Sequence, residues 1–210
     1  MLATRPREVA YLEKLLADLQ TEPPEPSLRY LYVVLRIPVV AQITELTEHL
    51  TRAKEAFESV LLSPHATRLV AVSARADLAM IASQTGDGVA AREHYEALKP
   101  AKGLLIHSVI DRLLGGLART MGEVDQAISH FEDAITFCAD AGCRPELAWT
   151  YLEAVDVLMR RGDDGDQENA KSMLEHSTGI ARELGMLPLA ERIDSLRAAS
   201  ESYSARDLTE

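Results

Sequence analysis

Hydrophobic and polar positions sort most clearly in residues 104–145, LLIHSVIDRLLGGLARTMGEVDQAISHFEDAITFCADAGCRP. Leu105, Val109, Leu113, Leu114 and Leu117 form a stripe with helical rather than alternating spacing. Gly122 interrupts it, followed by Glu123 and Asp125, acidic residues suited to a first helical turn. A second stripe follows with Ala127, Ile128, Phe131, Ala134, Ile135 and Cys138, and Gly142 and Pro145 end it. The pattern predicts a helix hairpin with a short turn.

The hairpin recurs. Gly86, Ala91, Tyr95 and Leu98 precede Gly122, Ala127, Phe131 and Ala134 by 36 positions, and Ala79 and Ala82 match Gly115 and Ala118 at the same offset. Ala170, Leu174, Gly185 and Pro188 follow Ala127, Phe131, Gly142 and Pro145 by 43. Ala53, Phe57 and Val60 make a fainter copy 38 positions before Ala91, Tyr95 and Leu98. Helix pairs repeated at this spacing predict an α-solenoid.

Taken in order, the chain reads as one all-α, right-handed solenoid domain over 1–210, with four helix pairs between two caps. Residues 1–26 form an N-terminal cap, with a helix over 6–20 ended by Pro23, Pro24 and Pro26. The pairs span 27–63, 65–99, 103–142 and 145–185. In the first, Pro38 removes a backbone donor and predicts a kink or break. In the second, helices over 65–84 and 88–98 flank Thr85-Gly86-Asp87-Gly88. In the fourth, helices over 146–161 and 167–184 flank an acidic loop, with Asp166 expected as N-cap. Residues 187–203 form a C-terminal cap whose apolar face is read as Leu187, Ala190, Ile193 and Leu196, with a frayed polar end beyond.

Composition narrows the function classes. The net charge is −11, from 33 acidic against 22 basic residues, without a Lys/Arg cluster to offset it. Such a chain repels phosphate backbones, so direct nucleic-acid binding is not expected. Only 5% of residues are aromatic, so the core is built from Leu, Ala, Val and Ile. No run of 18 uncharged apolar residues predicts a membrane span, and the charged N-terminus does not read as a signal peptide. Two cysteines, Cys138 and Cys143, fit free thiols in a reducing cytoplasm better than a disulfide framework.

The repeats resemble tetratricopeptide repeats. Leu114, Gly115, Gly122, Ala127, Phe131 and Ala134 stand in the order that pattern requires, while Asp111 replaces the expected Trp and Pro145 comes late. Small Gly115 and Ala127 are expected to let paired helices approach closely, with Phe131 filling the gap to the next pair. More narrowly, residues 140–196 resemble the C-terminal repeats of bacterial MalT/LuxR-type ATP-dependent regulators and of multidomain adenylate or guanylate cyclases. AGCRPELAWTYLEAVDVLMRRG and ENAKSMLEHSTGIARELGMLPLAERI carry that similarity, which extends more loosely back to His65. The closing DLTE resembles residues leading into a LuxR-type DNA-binding domain. The resemblance implies repeats that sense a ligand or partner for a separate output domain. The chain itself contains no phosphate loop, cyclase motif or helix-turn-helix pattern.

No catalytic, cofactor or metal constellation emerges. His49, His65, His94, His107, His130 and His176 form no recognised ligand spacing, and Asp163-Asp164-Gly165-Asp166 lacks the alternating ligands of a calcium loop. No nucleophile setting is present, so the chain is read as a binding module rather than an enzyme. His94 and His130 hold equivalent repeat positions. Trp149 is either a ligand platform or a packing anchor between the third and fourth pairs.

If first helices line a concave surface, the inward positions are Ser73, Ala76, Met80 and Ser83, then Val109, Arg112, Gly116 and Arg119, then Trp149, Leu152, Asp156 and Met159. Of these Ser73, Met80, Ser83, Arg112, Arg119 and Asp156 are the candidate partner-binding residues. Arginines two turns apart beside serines suit a carboxylate or acidic peptide. The expected function is a protein-interaction or sensing module binding a peptide or protein partner. The alternative is a small-molecule effector domain, favoured by any closed pocket near Met80, Trp149 and Met159.

Overall fold

The computed structural model describes residues 50–64 and 66–207, together with Lys14. The cap helix over 6–20, the first helix of the first pair with Pro38, and His49 and His65 lie outside the described residues. Among the described residues eight α-helices follow one another: α1 Leu50–Leu62, α2 Arg68–Thr85, α3 Gly88–Leu98, α4 Ile110–Met121, α5 Val124–Ala141, α6 Arg144–Arg161, α7 Asp166–Glu183 and α8 Leu187–Asp207. A short 3-10 turn, Lys99–Ala101, follows α3. The described residues form no β-strand and no helix long and apolar enough to cross a membrane.

The glycines that break the apolar stripes end the helices by a common device. Gly86, Gly122, Gly142 and Gly185 have φ of 69°, 80°, 68° and 66°, a left-handed conformation that side chains disfavour. After each, the next N–H bonds a carbonyl in the preceding helix's last turn. These bonds are Asp87 N to Ala82 O at 3.0 Å, Glu123 N to Ala118 O at 2.9 Å, Cys143 N to Cys138 O at 2.9 Å and Met186 N to Ala181 O at 2.8 Å. The accepting residues keep the offsets read in the sequence, Ala82 with Ala118 and Cys138 with Ala181. The four helix ends therefore close by the same hydrogen-bonded glycine turn.

Packing divides the chain into two compact units, Met1–Gln126 and Ala127–Glu210. In the first, α1 packs on α2, α2 on α3, and α4 on both α2 and α3. Its core includes Phe57 of α1, Leu78 and Ala79 of α2, Ala91 and Leu98 of α3, and Leu114 and Leu117 of α4, each at most 2% exposed. The Ser83 side chain of α2 packs closely on Gly116 of α4, where an added Cβ would lie 3.2 Å from Ser83 Oγ. Gly116→Leu is expected to lose about 1–3 kcal/mol of stability through overpacking. Gly116→Ala should be nearly neutral, since better helix propensity offsets a contact that Ser83 relieves by turning. Paired thermal melts check this, and a Gly116→Leu midpoint equal to wild type would refute the close approach.

The predicted helix from Leu104 begins only at Ile110, a difference with a visible cause. Asp111 Oδ2 accepts the Gly103 N–H at 2.7 Å, and Ile110 N donates to Leu104 O at 2.9 Å. These bonds fold residues 103–109 into a loop and leave Leu104 and Leu105 half exposed.

In the second unit α6 packs along α7, and α7 meets α8. Ala148, Leu152, Ala181, Leu189 and Ile193 form its core, with Trp149, Leu174, Ile180, Met186 and Ala190 packed against them. Trp149 is thus an anchor among α6, α7 and α8. Of the predicted face of α8, Ile193 is buried and Ala190 packs against the core, whereas Leu187 and Leu196 are 69% and 40% exposed and Leu189 is buried in their stead, so the face is turned slightly from the predicted one. The helix also runs to Asp207, past its expected end.

Asp166 takes a different place from the one expected. It is the first helical residue, with Gly165 at the cap position. Its carboxylate receives a two-pronged contact from Arg161, Nε to Oδ2 at 2.9 Å and Nη2 to Oδ1 at 2.6 Å, and also the Asp163 N–H at 3.0 Å. Those bonds hold Asp166 below the usual carboxylate range, the Arg161 guanidinium contributing most.

Candidate functional site

The residues singled out for partner binding are dispersed in environment. Met80 is 5% exposed and Arg112 only 3%, while Ser73, Ser83 and Arg119 are half-buried. Arg112 lies inside the fold, donating from Nη2 to Ser108 Oγ at 2.8 Å. Its guanidinium is therefore not offered to a peptide. Ser83 sits against the Gly116 position rather than open to a groove. Asp156 belongs to the second unit and is half-buried, paired along α6 with Arg160 at 3.1 Å.

A cavity of about 250 Å³ opens instead among α1, α2 and α3. Its apolar lining is Leu50, Leu78, Ile81, Ala82 and Ala90, and its polar lining is Thr51, Lys54, Thr85, Asp87 and His94. Helical spacing accounts for the lining. Leu50 and Lys54 are four positions apart on α1, as are Leu78 and Ala82 on α2 and Ala90 and His94 on α3. Asp87 is placed by the turn after Gly86 and caps α3, its Oδ1 accepting from Val89 N at 3.2 Å and Ala90 N at 3.0 Å. Its Oδ2 lies 3.9 Å from Lys54 Nζ. Backbone donation from Ala90, and then the Lys54 charge, hold the Asp87 carboxyl below its ordinary range despite some desolvation.

His94 closes one wall. It is 6% exposed, and its Nδ1 has no hydrogen-bond partner among the described residues. Burial pushes the imidazole pKa below its ordinary value, so the ring is neutral at pH 7. A neutral imidazole has one donor and one acceptor nitrogen, and Nδ1 itself is shut off from solvent. Thr85 Oγ1 donates to Ile81 O at 2.9 Å, so its hydroxyl hydrogen is committed.

A second polar feature lies on α2. Asp77 is wholly buried, with neither carboxylate oxygen accepting an aligned hydrogen bond among the described residues. His107 Nε2, from the 103–109 loop, stands 3.1 Å from Asp77 Oδ1. Burial raises the Asp77 pKa to about 6, and the neighbouring imidazole lowers it only in part.

Sequence reading gave Asp87 to a turn and His94 to a repeat position shared with His130, and did not single out Lys54 at all. The available signal for Asp77 was its isolation in the run Ala76-Asp77-Leu78-Ala79, a lone carboxylate on an apolar face. Comparison with known family models and with curated proteins returns no match for the chain.

Proposed function

We propose that the chain is a sensing module whose first unit holds a small effector in the α1–α3 cavity. The observation that carries this is the combination of an apolar lining with a part-exposed Lys54–Asp87 charge pair in one cavity. Few convergent polar groups on an apolar lining are the usual make-up of a small-molecule site. The cavity stands near the smaller end of such sites, which favours a metabolite over a peptide segment.

The finer fold reading, a tetratricopeptide-like right-handed solenoid, belongs to the same proposal. Its support is the repeated left-handed glycine turn and the offsets shared by the carbonyls that accept there. Assignment to a bacterial signalling or transcriptional regulator rests on the phrases in 141–162 and 168–193. In that setting the effector would gate an adjoining output domain by stabilising α1 on α2 and α3.

A thermal-shift screen of small metabolites against the full chain tests the reading. At least one compound is expected to raise the melting midpoint, and Thr51→Trp, which fills the mouth from an exposed position, should abolish the shift. If no compound shifts the wild type, or if Thr51→Trp leaves every shift intact, the cavity is not an effector site.

A further inference from the structure

Resting on that effector reading, we infer that the ligand is a free α-amino acid with a branched aliphatic side chain, held by its zwitterionic head. The charges at the mouth point to it. Lys54 and Asp87 both line the cavity, with Nζ and Oδ2 3.9 Å apart and each side chain about 40% exposed. Asp87 Oδ1 is committed to the α3 cap, whereas Oδ2 is the oxygen nearest Lys54. A simple carboxylate at Lys54 would stand beside the Asp87 anion, and a simple amine at Asp87 would stand beside the Lys54 cation. Either like-charge approach discriminates against its ligand. A molecule carrying both charged groups on one carbon meets each with its opposite.

The remaining lining fits the rest of such a molecule. Leu50, Leu78, Ile81 and Ala82 are between 1% and 4% exposed and present a dry aliphatic surface. No further charged group lines the cavity among the described residues, and His94 is neutral at pH 7. A charged side chain would therefore lie against apolar wall, which is costly, while a branched aliphatic one gains from burial. The volume of about 250 Å³ accommodates one molecule of this size.

Calorimetry on the full chain with L-leucine, 4-methylpentanoate, 3-methylbutylamine and L-glutamate decides the matter. L-Leucine should bind at least tenfold tighter than the other three. Asp87→Asn, which keeps a capping oxygen, should weaken L-leucine by tenfold or more while improving 4-methylpentanoate. Lys54→Met should likewise weaken L-leucine while improving 3-methylbutylamine. A purely structural effect would lower all affinities together, so the crossed pattern is the signature of a head-group clamp. Equal binding of L-leucine and either half-ligand would overturn the inference. So would failure of every amino acid where other metabolites shift the midpoint in a Thr51-dependent way, and in that case the effector reading stands. If nothing binds at all, both readings fall.

Discussion

Replacing Arg112 with alanine is expected to lower the stability of the chain by about 3 kcal/mol, far more than the loss of an exposed charge would. The side chain is 3% exposed, so its aliphatic stem is packed and its guanidinium is hydrogen-bonded inside the fold. Truncation leaves a cavity of the kind made by other large-to-small substitutions, and it deprives Ser108 Oγ, itself buried, of its donor. Arg119→Ala, at a half-buried position in the last turn of α4, should cost much less. Arg112→Met separates the two contributions, since it keeps most of the volume and removes the hydrogen bonds. Equilibrium denaturation of the three variants checks the order. Equal midpoints for Arg112→Ala and Arg119→Ala would show that Arg112 is solvated in solution.

Arg112 also shows where periodicity stops being informative. Seven positions separate it from Arg119, so both belong to one side of α4, and sequence spacing treats them alike. Burial distinguishes them, because it depends on where α4 lies relative to other elements. What periodicity does register is local. The apolar residues Leu113, Leu114, Leu117, Ala127, Phe131, Ala134 and Cys138 are all buried as their stripes require. The glycines at 86, 122, 142 and 185 end helices because only a residue without a Cβ takes φ near +70° at small cost. Turns of this kind are written in one or two residues, and so they are legible.

The cavity lining is harder to read for a physical reason. Lys54, Asp87 and His94 lie on α1, before α3 and on α3, and each has an ordinary local explanation. Lys54 reads as a surface charge, Asp87 as a helix cap and His94 as part of a polar face. Only the packing of α1 and α3 against α2 makes them neighbours. A similar limit applies to α8, where a stripe through Leu187 and one through Leu189 differ by a small rotation. The core formed by α6 and α7 selects Leu189 and Ile193.

Asp77→Asn is expected to stabilise the chain at neutral pH and to lose that advantage in acid. The wild-type carboxyl is buried, with its pKa raised from 3.8 to about 6. Between those values the folded chain holds a proton that the unfolded chain has released. By linkage, Asp77's contribution is fully present below pH 4 and is lost as pH rises through about 6. At pH 7.5 the buried anion therefore costs on the order of 1–3 kcal/mol relative to a neutral group of the same shape. Asparagine supplies that neutral group, with its side-chain oxygen able to lie beside His107 Nε2 as the carboxylate does. The measurement is the stability difference between variant and wild type, taken from pH 4 to pH 8. It should grow across pH 4–6 and level off above pH 7, whatever other carboxylates do to both proteins alike. A variant less stable than wild type at pH 7.5 would mean that the His107 contact outweighs desolvation, and that Asp77 is an ion-pair partner rather than a strained anion. The expected sign has a consequence for function. A carboxylate that weakens its own fold at neutral pH is the kind of group found where a site needs charge more than stability. Asp77 lies on α2 next to Leu78, which lines the α1–α3 cavity, so under the proposed function a ligand there and the Asp77 proton would act on the same helix.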